Sequence, residues 1–327
     1  MIRLSFFAMT VALVSFQAPP GQTPLALVGT INLPRVEGRI DHLAVDTSAQ
    51  RLYVAALGNN TVEVLDLKGN SHLKSLPGFR EPQGIATLPD AREVAVANGQ
   101  GEGIQSVDAG DYHLTKAVRL GDDSDNVRYD LSAKRLYVGF GSGALVAISP
   151  ADGKVLGEAK LPGHPESFQL EHSGSRVFVN VPTADQVAVI DRSTMKVVAT
   201  WPVVGAKANF PMALDEANHR LFLGCRRPAK VLVYDTATGK QRSSFDIVGD
   251  TDDLFYDAAR KRLYVSGGEG YLDVFQEQEA GRLTRVAHIA TAAGARTSLF
   301  VPDQSRLYLA VPHRGNQKAE IRIYEAR

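Results

Sequence analysis

The sequence predicts an all-β fold: a seven-bladed β-propeller of four-stranded antiparallel blades, closed by pairing an N-terminal strand with the C-terminal blade. Three observations carry that expectation. One pattern recurs along the 327 residues: an acid, a short spacer, an arginine, then alternating apolar residues. Its arginines stand at 51, 92, 135, 176, 220, 262 and 306, spacings of 41 to 44 residues, which is the period of a four-stranded blade. Each period holds four strand signals separated by turns rich in Gly, Asn and Asp. The seventh period, however, runs only to a third strand at 320–325, while 25–31 reads as a strand with no companions before it. Pairing these two completes a blade and removes an exposed sheet edge.

The elements follow in order. The first strand of a period is a short apolar stretch ahead of the acid, as in His42-Leu43-Ala44-Val45 or Leu254-Phe255-Tyr256. The second follows the arginine, as in Leu52-Tyr53-Val54. The third follows a hairpin turn, as at 61–66, 187–191 and 231–235, and the fourth follows turns such as 236–240. Five copies keep the full spacing: Asp46 to Arg51, Asp130 to Arg135, Glu171 to Arg176, Asp215 to Arg220 and Asp257 to Arg262. Asp90 to Arg92 and Asp303 to Arg306 are shorter. No 3.6-residue period and no capped helix interrupts the pattern.

Composition narrows the function. Lys and Arg number 36 against 36 Asp and Glu, so the strong basic excess of a nucleic-acid binder is missing. Hydrophobic residues make up 44%, as in a folded globular chain. Cys225 is the sole cysteine, which excludes an intrachain disulfide, a CxxC redox pair and a Cys-rich zinc site. Arg3 followed by an uncharged run at 4–16 reads as a secretory signal peptide, too short for a comfortable membrane span. We therefore expect a signal peptide at 1–18 (an uncleaved anchor being the alternative), a linker at 19–24, and one propeller domain at 25–327. A periplasmic or secreted monomer follows as the expectation.

Arg-Leu-Tyr-Val at 51–54, 135–138 and 262–265, with third strands of Val-x-Val-hydrophobic-Asp type, resembles the YVTN-repeat seven-bladed propellers. The resemblance spans the expected mature chain. It departs from the literal motif at Ala55, Gly139 and Ser266, where Thr would stand. It implies an exported bacterial propeller whose first strands line a central channel. Its more distant kin of similar shape include lactonases, a streptogramin lyase and cofactor-bearing dehydrogenase subunits.

A repeat supplies its own control: polar residues present in most copies belong to the scaffold, and those that break the pattern are site candidates. The acid–arginine pairs are expected to be hairpin ion pairs, and Asp66, Asp108, Asp191 and Asp235 turn residues. Asn59-Asn60 is expected to form a tight turn, and Trp201 to pack between blades. Cys225 is expected to be a packed small residue. The glycine runs at 99–103 and 139–143 lead into hairpins, so they are not phosphate loops.

At the start of the first strands the aligned residues are Asp41, Gln83, Asp125, Glu166, Phe210, Asp252 and Thr297. The next position gives His42, Gly84, Asn126, Ser167, Pro211, Asp253 and Ser298. Carboxylates around one pore require compensation by a cation, by raised pKa values or by neighbouring Arg and His. Asp41, Asp125, Glu166 and Asp252 are thus candidate metal ligands, with Ca²⁺ suited to an all-oxygen set. Arg39, Arg80, Arg226, Arg227, Arg296, His313 and Arg314, several of them in loops between second and third strands, are candidates to hold a small anionic ligand. The sequence supports a ligand-binding or protein-interaction module working through this face. The alternative is a metal-assisted lactonase- or lyase-type enzyme using His42, His164, Glu166 and Asp252. A noncovalent cofactor carrier is a third reading.

Overall fold

The computed structural model describes residues 23–327 apart from 102, 122 and 279–281. The expected signal peptide lies outside the described residues. Seven four-stranded antiparallel sheets form a ring. In the first blade the strands run Leu43–Asp46, Arg51–Ala56, Thr61–Asp66 and Ser71–Leu76, from the channel to the rim. The first strands of neighbouring blades touch around the ring, and Leu43–Asp46 meets Ser298–Val301 where it closes. The seventh blade comprises Ser298–Val301, Arg306–Val311 and Glu320–Ala326, with Leu25–Asn32 as its outermost strand. That last strand pairs antiparallel with its neighbour, from Leu25 opposite Ala326 to Asn32 opposite Glu320.

The apolar runs of the second strands have a physical reason. Each blade is packed between two others, so these strands are buried on both faces and cannot alternate with polar residues. Leu52, Tyr53, Val54, Ala55 and Ala56 are all fully buried. Seven hydrophobic clusters, one at each blade-to-blade contact, take the place of a single central core. Trp201 sits in one of them, its ring centroid 5.3 Å from Phe178 and stacked on Tyr234. The fourth strands face solvent and carry the polar load; Lys196–Pro202 buries only Trp201.

The repeat motif works differently from its expected role. Glu171–Arg176 and Asp215–Arg220 do form hairpin ion pairs. Elsewhere the acid and the arginine go separate ways. Asp46 instead accepts hydrogen bonds from the Ser48 and Ala49 backbone N–H groups, and Arg51 reaches across the sheet to Asp66. Asp130 caps its own turn and binds Arg192. Asp257 takes Arg260, while Arg262 binds Gln276. An acid that accepts two turn N–H groups is already satisfied, so the arginine is free to pair elsewhere. The four-residue spacer has a backbone cause as well: the residue before the arginine turns into the left-handed region at Gln50, Lys134, His219 and Lys261, with φ of 51° to 54°. In the short copy Arg92 itself occupies that turn position, at φ 55°, and Glu93 opens the strand. Asp66, Asp108, Asp191 and Asp235 accept from turn N–H groups as expected. The Asn59-Asn60 turn also forms as expected, with Asn60 at φ 57°.

Cys225 is completely buried, and burial pushes its thiol up to about 12. Native protein at pH 8 is therefore expected to resist a thiol reagent for hours and to react stoichiometrically once denatured. Rapid labelling of the folded protein would contradict this packing.

Candidate functional site at the channel mouth

Six of the seven aligned positions line one pocket of about 170 Å³ at the end of the channel: Asp41, Gln83, Asp125, Glu166, Phe210 and Asp252. The seventh, Thr297, is buried beside it and donates to the Ile40 carbonyl. A local device turns several of these side chains inward. Gln83, Asp125, Phe210 and Asp252 each fall within a register shift of the first strand, between Pro82 and Ile85, Ser124 and Val127, Asn209 and Met212, and Thr251 and Asp253. A bulge of this kind re-aims a side chain and ends regular pairing. Gly84 permits the closest approach: a Cβ there would stand 2.1 Å from the Asp125 carbonyl oxygen.

Most charges in the pocket are already paired. Arg39 binds Asp41 at 2.7 Å. Arg226 binds Asp252 and lies over the Phe210 ring, 3.8 Å from its centroid. Arg296 binds both Asp252, at 2.8 Å, and Asp250. These arginines were expected to hold an anion, but each has a carboxylate partner. The remaining arginine candidates lie elsewhere. Arg80 and Arg227 are exposed and away from the pocket lining. Arg226 and Arg227 belong to the strand Arg220–Arg227 rather than to a loop, because that hairpin continues to the pair Arg226 with Ala229. His313 binds Glu37 at 2.7 Å and, with Arg314, lines a neighbouring pocket of about 300 Å³ that Arg39 and Arg296 also border.

Two histidines set the electrostatics. Burial alone would lower His42, but Asp253 at 3.6 Å and Asp41 at 3.8 Å carry it up to about 10. Burial likewise opposes His164, which Asp125, the Gly141 carbonyl and Asp123 raise to about 9. Both are imidazolium at neutral pH and unsuited to act as general bases there. Burial raises Asp41 to about 6 despite His42 and Arg39. Burial also raises Asp252, against the pull of Arg226 and Arg296. Asp125 is held below the usual carboxylate range: burial opposes this, but His164, His42 and Arg39 outweigh it.

Glu166 stands apart. Among the described residues its carboxyl has no hydrogen-bond or ion-pair partner, and burial beside Asp125 and Asp252 pushes it up to about 8. Its carboxyl, that of Asp125 and a His164 ring nitrogen lie within 4.8 Å of one another. His164 Nδ1 donates to the Gly141 carbonyl at 2.7 Å, and Nε2 faces Asp125 at 3.6 Å. That is the orientation in which a backbone carbonyl fixes a metal-ligating imidazole. The expected four-carboxylate set thus divides. Asp41 and Asp252 are neutralised by arginines, while Asp125 and Glu166 gain His164. A second cluster, Asp108, Asp111 and His113, sits at a solvent-exposed hairpin where the acids cap turn N–H groups.

The described residues include no helix long and apolar enough to cross a membrane. No family model matches the chain. Proteins named uncharacterized protein YncE, from Salmonella typhimurium strain LT2 and from Salmonella typhi, are each 27% identical over 181 residues, 54% of this chain and 50% of theirs. The chain spans about half the length of these curated relatives. Among solved structures, a chain of the Kuenenia stuttgartiensis hydrazine synthase matches at TM-score 0.76 and 15% identity, over 84% of this chain and 94% of that one. A chain of the mitotic checkpoint complex matches at TM-score 0.78 and 14% identity, over 99% and 98%. At these identities the likeness is one of fold.

Proposed function

We propose that this chain is an exported, monomeric ligand-binding propeller of the YVTN-repeat type, and that its channel mouth holds a divalent metal ion through Asp125, His164 and Glu166. One observation carries the reading: in a pocket whose other carboxylates are paired, Glu166 has no hydrogen-bond or ion-pair partner among the described residues and stands beside Asp125 and a pre-oriented imidazole. An imidazole in the set favours Zn²⁺ or Mn²⁺ over the Ca²⁺ that four carboxylates suggest. Three protein ligands leave positions on the ion open, and the anionic small molecule expected from the sequence is the fitting occupant. Propellers serve widely as interaction modules, and one structural neighbour belongs to a multi-protein complex. The binding reading is preferred to the enzyme because His42 is already engaged between Asp253 and Asp41 and is not free to take a proton from a substrate.

Elemental analysis tests this. Protein dialysed against Zn²⁺ and then against metal-free buffer at pH 8 is expected to retain about one equivalent, and a Glu166→Gln, His164→Ala double variant to retain none. Equal retention by the variant removes the site from these residues.

A further inference from the structure

The channel has a second chamber, set apart from the mouth by His42 and Asp253. It has a volume of about 490 Å³, and Pro89 and Leu131 line its outer end. Leu131 lies in the turn between the first and second strands of its blade, and Pro89 at the corresponding turn, so this chamber opens on the face opposite the mouth. His42 and Asp253 stand between the two spaces, His42 lining both. The wall is apolar: Leu43, Val45, Ala86, Val127, Phe255 and Leu299. The polar groups that reach it are few, chiefly Arg128, Gln169, Ser298, His42 and Asp253. An apolar wall with a few convergent polar groups is the usual build of a small-molecule site, and the volume falls in the usual range.

The charge balance of this chamber is the reverse of the mouth's. Asp253 is compensated, with His42 at 3.6 Å and the Ser298 backbone N–H donating to it at 2.9 Å. Gln169 spends its amide N–H on the Met212 carbonyl at 2.7 Å. Arg128 donates one N–H to the Val127 carbonyl at 2.8 Å and lies 5.5 Å from the Phe168 ring centroid. Among the described residues its guanidinium has no carboxylate partner. Burial pushes it below its ordinary value, against the pull of the Asp253 and Asp125 carboxylates. An arginine fork with spare donors at an apolar chamber matches one chemistry: a carboxylate head on an apolar body.

We propose that this chamber binds a monocarboxylate with an aliphatic or aromatic body, its carboxylate on Arg128 and its body along the apolar wall. A dicarboxylate or sugar would leave polar groups against that wall without partners. A cationic amphiphile would meet Arg128 head-on.

Calorimetric titration with octanoate, octan-1-ol and octylammonium tests the idea on the unaltered protein. Octanoate is expected to bind at least tenfold tighter than the other two, and affinity to rise about threefold to fourfold per methylene from hexanoate to octanoate. Arg128→Met, checked for native circular dichroism, is expected to lose the preference for octanoate over octanol, while Glu166→Gln keeps it. Equal affinity for all three probes, or no binding of any carboxylate, overturns the proposal whatever the fate of the variant. The metal at the mouth is tested separately, so either reading can fail alone.

Discussion

A chain that begins at residue 33 is expected to lose its cooperative fold. Among the described residues, the strand Leu25–Asn32 covers the outer edge of Glu320–Ala326, whose inner edge pairs with Arg306–Val311, and its removal leaves that outer edge bare and open to aggregation. Leu25 and Ile31, 2% and 1% exposed, sit in two different inter-blade clusters. Each buried side chain of this kind contributes about 1.5–3 kcal/mol, and seven backbone pairings go with them. The sum approaches the whole ~5–15 kcal/mol by which a domain is stable. Thermal unfolding followed by circular dichroism is expected to show a fall in Tm of at least about 10 °C, or aggregation in size-exclusion chromatography. A peptide of residues 23–32 added in excess is expected to restore part of the loss. An unchanged Tm would mean that the ring does not depend on this closure.

Alkaline pH is expected to weaken the metal-free protein. His42, raised from 6.5 to about 10, and His164, raised to about 9, hold protons that the unfolded chain releases near 6.5. Their stabilisation is fully present below pH 6.5 and is lost as pH rises through those folded values. Glu166 acts in the same direction. Raised from 4.5 to about 8, it keeps its proton in the folded state where the unfolded chain is ionised, so stability falls with rising pH between those values. Each such group contributes a slope of up to about 1.4 kcal/mol per pH unit. Denaturant titrations are expected to show a loss of about 2–4 kcal/mol between pH 6.5 and 9, which is the slope limit discounted for interaction among the three groups. Glu166→Gln is expected to flatten the part below pH 8. A flat profile in the wild type would contradict the electrostatics of the mouth.

The sequence makes the ring legible because a repeat averages out local ambiguity: seven copies of one turn and one apolar run count the blades. Closure is legible for the same reason, since the period leaves one strand missing at one place and one spare at another. The partners of the repeated charges are not. Arg51 reaches Asp66 and Asp130 finds Arg192 because neighbouring strands and blades bring them together, and those distances are not written in the local motif. The carboxylates at the mouth are legible from alignment, yet their state is not. Compensation by neighbouring arginines is one of the expectations the alignment supports, but which arginine serves which acid, and that the same arginines are thereby taken up, only the geometry shows. The bulges that turn Asp125 and Asp252 inward carry no marker beyond Gly84. The opposite chamber escaped the sequence altogether: Arg128 lies within a first strand, and that its guanidinium meets no carboxylate partner among the described residues is a property of the ring.

The mouth can be examined most directly by calorimetric titration of Zn²⁺ into wild-type protein and into Glu166→Gln, at pH 7.5 in two buffers of different ionisation enthalpy. The account predicts one site per chain, at least tenfold weaker binding in the variant, and a heat that depends on the buffer, because a metal displaces protons held by His164 and Glu166. Binding of equal strength in both proteins, with no proton released, would contradict it.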